Sequence, residues 1–279
     1  MRRSRTSRTA HPACRRNRPG GPLPEAGPPV ENALYVALSQ QMALRRMLDV
    51  TANNIANMNT TAYRAERPVF DDYVTRVSQG DPTAFVVDRA TYTDLREGTV
   101  SVTGNPLDIA IRGDAWLQVE TPGGIRYTRD GRLQRSQEGM LVTVDGHNVL
   151  DADGNTVEVP EDVGPISIGA DGTLSYMVGG QGEQIQSVEL GRIGLFTLPN
   201  PAGLQRDGNG LVKAEGEALP AVGASIVQGA LEGSNVQPIM EMVRLIDINR
   251  AYALASNMTD SENRRQSNAI DKLGGTATS

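Results

Sequence analysis

The sequence is poor in the residues that build disulfides, metal sites and catalytic centres. It holds one cysteine, Cys14, and two histidines, His11 and His147, among 279 residues. One cysteine excludes an intrachain disulfide, and two widely separated histidines make a two-histidine metal site or a conventional catalytic triad hard to assemble. No apolar run approaches the roughly 18 residues of a membrane-spanning helix, so no membrane insertion is predicted.

Aromatic residues are also scarce, at 4 %, whereas the chain contains 30 glycines and 16 prolines. This composition favours many short strands and turns over a large helical globule. The length suits one large domain or two modest ones and is sufficient to bury a real core.

Charge is divided unevenly along the chain. Seven arginines and Glu25 give residues 1–30 a formal charge of +6, which leaves −12 for residues 31–279 out of the total of −6. An acidic body of this kind makes nucleic acid an unsuitable partner. Residues 1–30 lack the hydrophobic block of a secretory signal peptide and are predicted to be disordered.

Three other interpretations of residues 1–30 remain open. The segment could be a tether for nucleic acid or anionic lipid, or a transit peptide. We favour a third interpretation, in which Val30 is an alternative initiation site and residues 1–29 are not part of the native protein.

Residues 31–64 predict a long amphipathic helix with a turn-forming end. Eleven of the sixteen residues 33–48 are apolar. An imperfect stripe of heptad type follows a spacing of three and four residues, interrupted by Gln41 and Arg45: Leu34, Leu38, Leu48, Ala52 and Ile55. Four asparagines between residues 53 and 59 predict that the helix ends near Met58. Such a stripe needs a partner helix.

Residues 238–273 are the only other segment able to supply one. Pro238 suits a first helical turn, and twelve of the seventeen residues 239–255 are apolar. The sequence therefore predicts an α+β fold, with long N- and C-terminal helices paired as a coiled-coil-like stem and an all-β antiparallel domain inserted between them. The intervening parts are a linker at 65–95, the β domain at 96–228 and a return linker at 229–237, with a tail at 274–279.

The predicted β domain alternates short strands with tight turns. Strands are predicted at 109–111, 116–120, 141–144, 166–168, 173–177, 193–198 and 225–227. Asp-Gly dipeptides at 130–131, 145–146, 153–154, 171–172 and 207–208 predict hairpins, because glycine tolerates the positive φ of these turns.

No motif in the sequence indicates catalysis, and no catalytic, cofactor-binding or metal-binding residue and no small-molecule substrate is predicted. The spacing of a calcium loop is partly matched by Asp151, Asp153, Asn155 and Asp162. The sixth position of that loop is Thr156 instead of glycine, so a hairpin is expected. The glycines of 179–182 lack a following GK[ST] and indicate a hairpin tip, not a phosphate loop. His147 is expected in an exposed turn.

Several ordered segments carry a family resemblance. They are TANNIANMNT at 51–60, TGNPLDIAIRGD at 103–114, YTRDG at 127–131, FTLPNPAGL at 196–204, GALEGSNV at 229–236, MVRLI at 242–246 and Arg250-Ala-Tyr252. Together they resemble the bacterial flagellar axial proteins of the rod and hook, over residues 31–273. The resemblance implies a structural, non-enzymatic subunit without a cofactor, in a drive shaft for motility.

The family implies the partners and location as well. Terminal helices of many subunits form the inner layer of a tube, with the β domains outside. Partners would be copies of the chain, other rod proteins and the flagellar type III export apparatus, which exports subunits without a cleaved signal peptide to the periplasmic basal body. The size leaves no room for a hook protein's extra domain. The start of the first helix, without Gly-Met, is most similar to a proximal rod component, with a distal one as the alternative.

Apolar residues of both helices are predicted to contact neighbouring subunits: Leu34, Leu38, Leu44, Leu48, Ile55, Met242, Leu245, Ile246 and Tyr252. Without neighbours the helices are expected to be poorly ordered. Ala62-Tyr63 departs from the family's Gly-Phe, and the turn is expected to differ because alanine resists positive φ. Alternative functions are an extracellular enzyme acting on cell-wall polysaccharide, with two carboxylates about 5 to 9.5 Å apart, and an adhesin or phage-tail-like module.

Overall fold

A computed structural model describes residues 30–75, 83–161, 164–178, 186–200 and 204–275. Helix α1 (Val30–Ala56) and helix α2 (Pro238–Gly275) occupy the two ends, and antiparallel strands fill the chain between them. The predicted α+β fold with an inserted β domain is confirmed. Neither described helix holds a stretch apolar enough to cross a membrane. Residues 1–29, Asp162 and 179–182, which carried predictions, lie outside the described residues.

The two helices form an antiparallel pair, here called the stem. The Gln41 side chain donates to Thr259 Oγ1 across the pair at 3.1 Å. The buried apolar side chains of the two helices are Ala37, Ala43 and Val50 on α1, and Ile248 and Ala255 on α2.

The predicted stripe on α1 is covered only in part. Leu38 and Ala52 are exposed and Leu48 and Ile55 are partly buried, whereas Gln41, which interrupts the stripe, contacts α2. The intramolecular pair therefore leaves part of the apolar circumference of the helices uncovered.

The region predicted as an extended linker is a long hairpin, made of β1 (Glu66–Thr75) and β2 (Thr83–Thr93). Its strands pair antiparallel with one irregularity between Val69 and Phe70. Valine, threonine, phenylalanine and tyrosine are frequent here, and cross-strand pairing outweighs the interruption by Pro68.

Sixteen further strands are short. They are β3 (Val100–Val102), β4 (Ile109–Arg112), β5 (Trp116–Thr121), β6 (Gly124–Thr128), β7 (Leu133–Arg135), β8 (Leu141–Thr143), β9 (Asn148–Val149), β10 (Ile166–Ile168), β11 (Thr173–Val178), β12 (Gln186–Arg192), β13 (Leu195–Thr197), β14 (Gln205–Arg206), β15 (Leu211–Lys213), β16 (Leu219–Pro220), β17 (Ser225–Gln228) and β18 (Ala230–Glu232). All strand pairs of the described residues are antiparallel.

The largest sheet has the order β14-β15-β6-β5-β9-β8-β7, with β13 joining β5 to β16. Smaller sheets pair β10-β11-β12, β17 with β4, and β18 with β3. The largest sheet, the β10-β11-β12 sheet and the β4–β17 pair share one core, which includes Ile109, Leu117, Leu141, Leu174 and Ile193. This core belongs to the β domain alone, so the stem is attached to a separately packed body.

Four of the five predicted Asp-Gly turns join paired strands or a bridged pair and place glycine at positive φ: Gly146, Gly154, Gly172 and Gly208. In the turn at 151–155, Asp151 Oδ1 accepts from the backbone N–H groups of Asp153 and Asn155, both at 2.8 Å, as expected of a hairpin. Asp130-Gly131 is not a hairpin, because β6 and β7 do not pair. Glycine is needed there because a Cβ would lie 1.8 Å from the Ile109 carbonyl oxygen.

Candidate assembly surface

The stem carries exposed apolar side chains on both helices, here called the stem face. Its members are Leu38 and Met42 on α1, and Ile239, Met240, Met242, Val243, Ile246, Leu254, Met258 and Ile270 on α2. Apolar side chains exposed in such number along a helix pair mark an interaction surface instead of ordinary surface composition. Assembly is therefore the activity to which this surface is suited.

The predicted contact residues fall into three groups. Leu38, Met242 and Ile246 lie on the stem face, with exposed fractions of 49 %, 47 % and 51 %. Leu44, Leu48, Ile55, Leu245 and Tyr252 are partly buried on the stem. Leu34 belongs to α1, but its side chain is outside the described set.

Sequence reasoning missed the other exposed members, above all Met42, Leu254 and Met258. The missing information was which side of α2 faces α1. Glu241, Ile248 and Ala255 are the buried α2 positions, seven residues apart. That heptad row could have been found, but it begins with a glutamate, which does not look like a seam residue.

The stem meets the β domain at a joint formed by residues 62–66, 94–98 and 232–236. Asn54, near the end of α1, binds both backbone groups of Glu66, donating to its carbonyl oxygen and accepting from its N–H, each at 2.9 Å. Asn235 similarly accepts from the Ala65 N–H at 2.7 Å and donates to the Asp94 carbonyl at 2.9 Å. Side-chain amides thus replace missing backbone partners at the joint.

The asparagine-rich end of α1 accordingly does more than stop a helix. Asn54 is fully buried, and the Tyr63 hydroxyl donates to the side-chain oxygens of Asn53 and Asn54 at 2.9 and 3.1 Å. The Arg206 guanidinium lies 4.5 Å from the centre of the Tyr63 ring. Burial raises the pKa of Tyr63 above 10.0 and outweighs the opposing effect of Arg206, so the hydroxyl stays a donor at neutral pH.

A buried ion cluster crosses the joint. Glu232 Oε1 contacts Arg64 Nη2 at 2.8 Å, and Glu232 Oε2 contacts Arg129 Nε at 2.8 Å. All three side chains are almost completely inaccessible. Burial and, to a smaller extent, the neighbouring Arg129 lower the pKa of Arg64 to about 10, against the opposing effect of Glu232. Arg64 therefore remains charged at neutral pH although it is desolvated.

A second buried carboxylate ties the stem to the hairpin. Glu241, in the first turn of α2, contacts Arg67 of β1 at 2.7 Å and Arg244 at 3.3 Å. Both buried glutamates are thus engaged by arginines and are unsuited to act as a general acid or base. Among the described residues, no group of three His, Cys, Asp or Glu side chains could hold a metal ion.

Comparison with known proteins gives three matching family descriptions, in chain order. "Flagella basal body rod protein" matches residues 34–64. "Flagellar hook protein FlgE/F/G D1 domain" matches residues 110–176. "Flagellar basal body rod FlgEFG protein C-terminal" matches residues 227–271. The first region covers most of α1 with the turn after it, and the second covers the middle of the β domain. The third covers β18 and most of α2.

Whole-chain relatives agree with these matches. Flagellar basal-body rod protein FlgF of Caulobacter vibrioides is 38 % identical over 88 % of this chain and 99 % of its own length. FlgF of Salmonella typhimurium is 31 % identical over 86 % of this chain and 98 % of its own. Flagellar basal-body rod protein FlgG of Agrobacterium fabrum is 34 % identical over 81 % of this chain and 93 % of its own.

Proposed function

The chain belongs to the flagellar basal-body rod family, and from this premise we propose that it is a proximal rod subunit that polymerises through the stem face. Family membership makes it a structural component of the rod. The single observation that carries the proposed mode of assembly is the row of exposed apolar side chains along both terminal helices.

The stem leaves ten apolar side chains about half exposed or more exposed in a single subunit. Full burial of one leucine or methionine side chain contributes about 1.5 to 3 kcal/mol. The ten side chains of the stem face obtain only part of this in a single subunit. Helices of neighbouring subunits supply the missing apolar surface, and burial against them drives association.

Membership of the rod family favours an open assembly over a closed dimer. The stem face lies on two antiparallel helices, with α1 covering 27 residues and α2 covering 38. In an open assembly this surface contacts a different part of the next copy, and repeated contacts between unlike surfaces build a helical array. The β domain, with its own core, remains outside the helical layer.

We further assign the position in the rod, the partners and the location of the protein. FlgF relatives, 38 % identical in Caulobacter vibrioides and Mesorhizobium japonicum, support a proximal position over that of FlgG. The partners are copies of this chain and other rod proteins, and the type III export apparatus delivers the unfolded chain without a cleaved signal peptide. The protein acts without enzymatic activity, in the periplasmic part of the basal body.

A charge on the stem face tests the mechanism. Leu38→Asp should leave the β domain folded, because Leu38 is half exposed and lies outside its core. It should weaken each subunit contact by at least about tenfold, since about 1.4 kcal/mol or more of burial is lost. Incorporation into purified basal bodies and swimming in soft agar are the measurements.

The matched control is Val222→Asp, because Val222 is 97 % exposed and belongs to the β domain, not to either helix of the stem. The control should incorporate and swim normally. Normal motility of Leu38→Asp, or equal loss in both variants, would contradict polymerisation through the stem face.

A further inference from the structure

The ion cluster at the joint has a geometry that a purely stabilising contact does not need. The other N–H groups of Arg129 donate to carbonyl oxygens within the β domain. The acceptors are Ile111 at 2.8 Å, Ala115 at 2.6 Å and Gly113. Arg129 is therefore fixed to the β body, and it holds Glu232 Oε2 in a set direction.

Arg64 belongs to the other side of the cluster. It follows the turn after α1 and donates to the carbonyl oxygens of Leu95 and Arg96 at the end of the hairpin. Glu232 Oε1, which Arg64 contacts, also accepts the Gly98 N–H at 2.8 Å, and the Glu232 carbonyl accepts the Ala62 N–H at 2.8 Å. One residue thus joins the end of α1, the end of the hairpin and the β body.

The three buried side chains are two cations and one carboxylate, Asp94 and Glu97 also act on Arg64, and Arg64 Nε has no hydrogen-bond partner. Desolvation makes such a cluster a poor source of stability, because apolar side chains of similar volume often serve as well or better. Planar guanidinium forks do, however, fix both distance and angle. The arrangement suits orientation better than it suits stability.

We propose that Glu232 and Arg64 are positioning residues that fix the angle between the stem and the β domain, so that a subunit presents its stem face in the geometry the array requires. Neighbouring subunits can share one repeated contact only when every copy has the same angle. The proposal rests on the proposed function for why the angle matters. The angle itself can be measured on the unassembled chain.

The test is a distance distribution between spin labels on the two sides of the joint. In a Cys14→Ser background, labels at Ala52→Cys on α1 and Lys213→Cys on the β domain, both exposed, should give one narrow distance. Arg64→Met keeps the Glu232–Arg129 pair but cuts the tie to the stem, and Glu232→Gln leaves two buried cations without their counter-charge. Each should widen the distribution at least twofold.

A second readout separates positioning from structure. Trp116 is buried in the β domain, and its fluorescence should report almost unchanged thermal unfolding for Arg64→Met. The control is Glu161→Gln, which breaks the exposed Arg135–Glu161 pair at 3.6 Å and should change neither readout.

A narrow distribution in Arg64→Met would overturn the proposal. So would loss of β-domain folding in that variant, because it would show a structural role. A widened distribution with a folded β domain supports positioning, and defective incorporation of the same variant would connect it to assembly.

Discussion

Ala62 is the residue at which local conformational preference and the fold disagree most clearly. Its φ is 56°, a left-handed conformation that costs an L-residue with a Cβ atom about 1 to 2 kcal/mol. The backbone accepts this because the Ala62 N–H donates to the Glu232 carbonyl at 2.8 Å. The turn keeps a glycine-like conformation despite the alanine, so the expectation that alanine would change it is wrong.

Ala62→Gly should therefore stabilise the protein, by about 1 kcal/mol, since glycine adopts positive φ without steric cost. Urea unfolding followed by circular dichroism measures the change. The control is Ala253→Gly at an exposed position within α2, which should destabilise by about 1 kcal/mol. A destabilised Ala62→Gly would show that the conformation of this turn is not strained.

At the scale of single elements, the β10–β11 turn has a stability that depends on pH. In the β10–β11 turn, Asp171 accepts from the Thr173 hydroxyl at 2.8 Å and from the Thr173 N–H at 3.2 Å. The side-chain bond from Thr173, followed by the backbone bond, lowers the pKa of Asp171 below 3.8. A lowered pKa in the folded state means that the carboxylate stabilises the turn above about pH 3.8, and that this contribution disappears as pH falls through the folded value.

Asp171→Ala should consequently lower the free energy of unfolding at neutral pH, and its difference from the native chain should shrink towards zero in acid. Urea titrations at several pH values between about 7 and 2 measure the difference. Thr173→Val, which removes only the hydroxyl donor, should show a smaller effect with the same pH trend. A difference that does not depend on pH would contradict the role of the carboxylate.

The elements best predicted from sequence were those whose signal is local. The Asp-Gly turns at 145–146 and 171–172 and strands such as β4 and β10 follow from turn chemistry and β-branched runs. The hairpin predicted at Asp130-Gly131 was wrong, because the glycine at 131 serves a different purpose. It makes room for the Ile109 carbonyl, which belongs to a distant part of the chain. The β1–β2 hairpin was missed for a related reason, since its pairing depends on partners at least eight residues away.

The candidate site was predictable in kind and only partly in detail. Apolar excess in both helices indicated intermolecular contact, and Leu38, Met242 and Ile246 are indeed exposed. Which face of each helix is covered depends on how α1, α2 and the β1–β2 hairpin pack together, and these contacts join distant parts of the chain. The joint cluster could not be predicted, because Arg64, Arg129 and Glu232 meet from three distant segments.

At the scale of the whole molecule, the β domain and the stem differ in how completely they bury their apolar side chains. The β domain completes its own core, whereas the stem buries one narrow seam and leaves the stem face open. The helices form in the single chain of the structure, but their outward side chains have no covering surface there. On the proposed function, such a subunit is complete only within an array.

Methionine oxidation is the most direct measurement of that claim, because the native chain carries its own probes. Met42, Met240, Met242 and Met258 are exposed on the stem face, and Met177 is 63 % exposed on the β domain. Brief peroxide treatment of the monomer and of purified basal bodies, followed by peptide mass spectrometry, compares their accessibility. We predict that the four stem-face methionines oxidise in the monomer and are protected in the rod, while Met177 oxidises in both. Equal oxidation of the four in both samples would contradict assembly through the stem face.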